Sequence, residues 1–229
     1  MDKRRYLYFD IETAGAYGTL NEMKENDIRQ YNLFLHKQAR FSEKDETWRG
    51  KPEDVYLKKC ALQPEYGRVV CISYGFFLAD GKIKIDSLND MNEETIMHDA
   101  KKLFDLVFDK SLVLCGYNIK GFDIPFLFKK FLSYNIVPPK NINFFNKKPW
   151  EVDCLDLQEL WKNNSQAQIA SFDEFAYSLG VKSPKDELMG VEVHKTFYED
   201  KDYAAIKKYC EKDVKCCVDC VEVLENLIV

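Results

Sequence analysis

Tyr6-Leu7-Tyr8-Phe9-Asp10-Ile11-Glu12 is the stretch from which the rest of the chain can be read. Its aromatic and β-branched character marks a central strand. Side chains at i and i+2 of a strand share a face. Asp10 and Glu12 therefore project together from an otherwise apolar element. Carboxylates in such a place are costly unless something compensates their charge. Two more acidic clusters follow in order, Phe122-Asp123 in the middle and Tyr209-Cys210-Glu211-Lys212-Asp213 near the end. Both also sit in hydrophobic surroundings. If the three clusters converge, their mutual repulsion calls for divalent cations, the pattern of a metal-dependent phosphoryl-transfer site.

Outward from that strand, residues from about 21 to 59 change character. Charges are dense there, and Ile28, Tyr31 and Leu35 fit a helix only loosely, so the segment at about 15–60 reads as a partly helical insertion. Val69 to Phe77 is a second strand, Asp80-Gly81 a hairpin turn, and Lys82 to Asp86 an alternating edge strand. Glu93 to Asp109 has helical spacing with Asn92 as its N-cap. Leu112 to Gly116 is a short buried strand. Phe122 to Tyr134 is helical, with Pro125 tolerated in the first turn. A proline-containing loop runs from Asn135 to Trp150. Helices over Leu155–Leu160, Ser171–Leu179 (closed by Gly180) and Asp202–Leu227 complete the chain. A hairpin within an α/β order implies a mixed sheet with helices on its faces. No linker composition divides residues 1–229, which read as one domain.

The chain has 229 residues, 46% of them hydrophobic, enough for one substantial core. Its 33 basic and 38 acidic residues leave a net charge of −5. That balance argues against extensive coating of nucleic acid, yet leaves room for an enzyme gripping a few terminal nucleotides. The eight cysteines, with no apolar run near the ~20 residues of a membrane span and no signal peptide before the first strand, imply reduced thiols and a cytoplasmic setting without membrane association. Cys217-Val218-Asp219-Cys220 lacks a second pair at zinc-like spacing and reads as small buried hydrophobes.

On the last helix, Tyr209 and Asp213 stand one turn apart on one face. Asp123 opens a helix after a strand and loop, where ligand sites of open α/β sheets gather. Each cluster alone has a plain structural account: Asp123 as an N-cap, Tyr209 as a packed ring. Their joint occurrence in this order is what points to chemistry. Mg²⁺ needs only a few carboxylates plus substrate phosphate. Tyr209 is a poor general base, its ordinary pKa being about 10, so its expected role is to orient a water.

At these residues the chain resembles the DEDD superfamily of 3′–5′ exonucleases, in the subgroup with a tyrosine in the third motif. Asp10-Ile11-Glu12-Thr13 resembles the first motif and Tyr209 through Asp213 the third. The specific signal is Gly116-Tyr117-Asn118-Ile119-Lys120-Gly121-Phe122-Asp123-Ile124-Pro125-Phe126-Leu127, which resembles the second motif of family B DNA polymerases. The best overall likeness is to stand-alone exonucleases related to their proofreading domain. The resemblance implies a ribonuclease H-like α/β fold with a mixed five-stranded sheet. It also implies two divalent cations, Mg²⁺ or Mn²⁺, held by Asp10, Glu12, Asp123 and Asp213, with Tyr209 positioning water. Asn118, Phe122 and Thr13 carry over as contacts to the terminal nucleotides. Phe122 has core packing as its plain alternative.

The expected activity is release of nucleoside monophosphates from the 3′ end of DNA, single-stranded by preference. An exoribonuclease and a catalytically silent nucleic-acid-binding adaptor are the alternatives. The insertion reads equally as a lid or as a dimer contact. His194 is expected at the surface or in a capping role. Asp153 and Asp156 have an N-cap as their simplest account, with support of the site as the other. Lys182, Lys185 and Lys195 are cations within possible reach of phosphate.

Overall fold

The computed structural model describes residues 2–148, 151–165, 169–183 and 190–228. Its sheet contains β1 (Tyr6–Gly15), β2 (Gly67–Phe77), β3 (Ile83–Leu88), β4 (Val113–Gly116) and β5 (Cys154–Asp156) in the order β3-β2-β1-β4-β5. β1 is central: it runs antiparallel to β2 and parallel to β4, and β5 continues the parallel side. The hairpin β2–β3 turns at Gly81, whose φ of +84° suits glycine. The sequence pattern does not announce β5 as a strand. The helix expected over Leu155–Leu160 instead begins after it, as α6 below.

Alternation along β1 splits the core into two layers. Leu7, Phe9 and Ile11 pack against α4 (Glu93–Asp109) and α5 (Asp123–Ser133). Phe9 meets Phe104 edge to face at 5.4 Å. Tyr8 points the other way, into α6 (Leu157–Lys162), α7 (Phe172–Ser178) and α9 (Tyr203–Glu225). α9 presents Ile206, Cys210, Val214, Cys217, Val221 and Leu224, a stripe at three- and four-residue spacing that buries it on the sheet. Cys217 and Cys220 lie inside this apolar layer, as the plain reading of the pair expects.

A bulge interrupts the β1–β2 ladder. Glu12 stands opposite Cys71 and Thr13 opposite Val69, leaving Val70 as the extra residue. Val70 and Cys71 consequently turn to the same side, toward α9, while Val69 and Ile72 remain in the other layer. A buried ion pair fastens the opposite side. Glu93 accepts the Val69 amide at 2.6 Å, the Tyr134 hydroxyl at 2.8 Å and the Lys130 ammonium at 3.2 Å, and Lys130 also donates to the Gly67 carbonyl.

The segment between β1 and β2 folds into α1 (Leu20–Asn26), α2 (Ile28–Ser42) and α3 (Pro52–Lys59). It has its own aromatic cluster, with Phe34 at the centre of Trp48, Tyr56 and Tyr66. Ile28 is 55% exposed, whereas Phe34 and Gln38 point inward. α8 (Val193–Lys195) packs beside β1. Among the described residues no helix is long and apolar enough to cross a membrane.

Gly116 ends β4 where the chain turns back over β1. A Cβ there would lie 2.5 Å from Ile119 Cγ2 and 2.7 Å from the Phe9 carbonyl. Gly116→Ala is expected to cost about 3 kcal/mol. Urea unfolding would read this as a lower midpoint at an unchanged slope; an unchanged midpoint would show that the turn yields to a methyl group.

Candidate active site

Asp10 and Glu12 follow Tyr8 in the alternation of β1 and so face α9, with Glu12 only 8% exposed. α9 meets them with Tyr209 and Cys210, and the Tyr209 hydroxyl is hydrogen-bonded to Asp213, one turn further along the same helix. Asp123 arrives from the other layer. It is the first residue of α5, 3% exposed, and its Oδ1 accepts the Ile11 amide at 3.1 Å. That bond places the carboxylate beside the backbone between Asp10 and Glu12. The N-terminal end of α5 further favours a negative group there. The three acidic clusters thus converge.

The electrostatics record the convergence. Burial raises the Asp10 pKa well above its ordinary value, and the carboxyls of Asp123, Glu12 and Asp213 raise it further. Glu12 is raised by burial, then by Asp213, Cys71 and Asp123. Asp123 is pushed up to about 8, chiefly by burial. Burial also raises Tyr209, helped by Asp213, Glu12 and Asp10, so its hydroxyl stays protonated. Glu12 and Asp123 are buried, Asp10 and Asp213 half-buried, and the four carboxyls repel one another. The donor set is hard oxygen, which suits Mg²⁺ or Mn²⁺. A bound divalent cation would relieve the repulsion. On these grounds the residues fit such a group.

The other sequence-predicted residues have contacts of their own. Asn118 has a left-handed backbone, φ +58°, and its amide oxygen lies over Gly121. Phe122 is half-buried, 5.5 Å from Phe126, so core packing accounts for part of its ring. The Thr13 hydroxyl donates to the Ala61 carbonyl at 2.7 Å, pinning the insertion to β1. Lys195 pairs with Asp200 at 3.6 Å, Lys182 is exposed, and Lys185 lies outside the described residues.

Two roles are not legible in the sequence. Cys210 donates its thiol to the backbone and side-chain oxygens of Asp10, both at 3.4 Å, and its sulfur and the Asp10 and Glu12 carboxylates lie within 4.8 Å of one another. Only its position beside Tyr209 hints at this. His194 is buried rather than at the surface: Nδ1 accepts the Gly15 amide and Nε2 donates to the Gly18 carbonyl, each at 2.9 Å. No sequence signal marks that contact. Asp156 caps α6 as expected, but also accepts amides from the Asn118 loop.

Residues 61–216 match a family described as predicted 3′–5′ exonucleases related to the exonuclease domain of PolB. The chain belongs to this family. Asp123, Tyr209 and Asp213 lie within the matched residues, and Asp10 and Glu12 precede them. No curated protein sequence matches the chain. Among solved structures, the family B DNA polymerase from the hyperthermophilic archaeon Pyrobaculum calidifontis aligns with a TM-score of 0.57 at 17% identity. The alignment covers 96% of this chain and 24% of the polymerase, so the chain spans about a quarter of that protein's length. At this identity the likeness is one of fold, and the fold is ribonuclease H-like, as expected. The chain is accordingly a predicted 3′–5′ exonuclease of this PolB-related family.

The raised carboxyls give a stability prediction. An unfolded aspartate titrates near 4, whereas folded Asp123 titrates at about 8. Between those values the folded state binds more protons than the unfolded one, so the site's contribution to stability falls as pH rises. With a chelator present, Asp123→Asn is expected to flatten this fall. Mn²⁺ is expected to raise Tm more at pH 8 than at pH 5, because at pH 5 it must displace protons. An equal gain at both pH values would contradict a carboxylate cation site.

Proposed function

We propose that the chain is a two-metal-ion 3′–5′ exonuclease that hydrolyses the 3′-terminal phosphodiester of DNA, single-stranded by preference, and releases nucleoside monophosphates. The observation that carries this reading is the meeting of Asp10, Glu12, Asp123 and Asp213 with the Tyr209 hydroxyl, from three separate elements.

In this reading the four carboxylates hold two divalent cations, Mg²⁺ or Mn²⁺. When bound, such cations acidify the attacking water and stabilise the leaving 3′ oxygen. The chain's own groups do the remainder. Tyr209 keeps its proton, is hydrogen-bonded to Asp213, and orients the water rather than taking its proton. Asp123, fixed by the Ile11 amide, keeps the α5 carboxylate in register with β1. The exposed part of the Phe122 ring stacks on or wedges against a terminal base, and Asn118 hydrogen-bonds sugar or phosphate. Thr13 lies beside the terminal nucleotide, with its hydroxyl already bound to Ala61. A terminal base splayed against these residues favours a single strand. The eight unpaired thiols suit a reducing compartment such as the cytoplasm.

The test is degradation of a 5′-labelled single-stranded DNA and its RNA counterpart with Mn²⁺ or Mg²⁺, and with chelator. A metal-dependent ladder shortening from the 3′ end, longer for DNA, is expected. Asp10→Ala and Asp123→Ala should each lower the rate by at least about a hundredfold without unfolding the protein. Tyr209→Phe should lose roughly a hundredfold while retaining the Mn²⁺-induced rise in Tm. Faster loss of RNA would reassign the substrate, and full cleavage by Asp123→Ala would remove the site from the mechanism.

A further inference from the structure

Beyond the converging carboxylates, Asp156 stands at the end of β5. Its side chain is buried, 4% exposed, although it is charged and faces no cation at hydrogen-bonding distance among the described residues. Four backbone amides surround it instead. Oδ1 accepts the amides of Asn118 at 3.0 Å, Gln158 at 2.9 Å and Glu159 at 3.4 Å, and Oδ2 accepts the amide of Lys120 at 2.9 Å. Capping α6 needs only one accepting oxygen. The second oxygen reaches across to a different loop.

That loop connects β4 to α5 and carries Asn118 and Phe122, the proposed nucleotide contacts. It is tightly wound. The Asn118 carbonyl accepts the amides of Gly121 and Phe122, both at 3.0 Å, and the Ile119 carbonyl accepts that of Ile124 at 2.9 Å. None of these bonds uses the amides of the half-buried Asn118 and Lys120, and amides shielded from water without a partner are costly. Asp156 satisfies both. It can do so because β4 and β5 are parallel neighbours with Gly116 opposite Asp156, so both chains leave the sheet at the same edge. Asp123, at the far end of the loop, has a separate anchor in the Ile11 amide.

We propose that Asp156 is a positioning residue that holds the Asn118–Phe122 loop in its nucleotide-gripping shape while leaving the Asp123 carboxylate to its own anchor. This rests on the exonuclease reading above. It acts through Asn118 and Phe122, and touches neither substrate nor cation.

Asp156→Ser and Asp156→Asn test it. Serine and asparagine cap helices about as well as aspartate, so α6 is kept, but both lose the two-oxygen acceptor. For a 5′-labelled single-stranded DNA, KM is expected to rise about tenfold or more while kcat changes by less than about threefold. Asp156→Glu, which retains both oxygens, should recover part of the loss. An unchanged KM in folded serine and asparagine variants, or a fall in kcat at constant KM, overturns the proposal. If the parent protein cleaves nothing, the exonuclease reading fails by itself, and the same variants are compared by fluorescence anisotropy with the labelled strand in chelator: weaker binding supports the proposal and equal binding overturns it. Should the variants not fold, amide exchange in the parent decides. Slow exchange at both Asn118 and Lys120 supports the bridge, and rapid exchange at either overturns it.

Discussion

Strict alternation along β1 is the constraint on which the rest depends. One strand in the middle of the sheet must serve two core layers at once. Leu7, Phe9 and Ile11 fill one layer and Tyr8 the other. Asp10 and Glu12 inherit the second face, where α9 lies. A shift of one residue would send every one of these side chains to the wrong side. The apolar residues therefore set the register, and the register delivers the carboxylates.

Convergence then needs pieces from both layers. α9 reaches the site through the same stripe that buries it, because Tyr209 and Cys210 sit among its packed residues. α5 belongs to the opposite layer, and only its first residue comes round the end of the sheet. The Ile11 amide bond to Asp123 closes that gap. The cost of the arrangement is evident in the raised carboxyls of Asp10, Glu12 and Asp123. Burying like charges together opposes folding of the metal-free protein, and such a sacrifice of stability is characteristic of functional sites. The Glu93–Lys130 pair shows the other way of burying charge, with opposite signs and saturated hydrogen bonds.

Regular elements were legible wherever local pattern and tertiary packing agree. Asn92 and Glu93–Asp109 appear as read, as do the helix that follows Ser171 and the long last helix. Legibility failed where the deciding contacts are remote. β5 has three residues, too few for any period to show, and exists only because β4 offers a free edge. Within the insertion, Ile28, Tyr31 and Leu35 fit a helix only loosely, and the helix turns Phe34 inward, toward aromatic rings far along the chain. His194 gives no sign in sequence that it will be buried against Gly15 and Gly18.

By itself the sequence determined the central strand, its paired carboxylates, the order of the acidic clusters and their likeness to an exonuclease family. These are properties of short segments, carried by alternation, helical spacing and a contiguous motif. Only the tertiary structure decided that the clusters meet, that Cys210 lies against Asp10, and that Asp156 serves a loop as well as a helix. The reason is physical. A hydrogen bond between residues separated by 112 positions, as between Ile11 and Asp123, depends on where two layers place their ends, and no local pattern encodes that meeting.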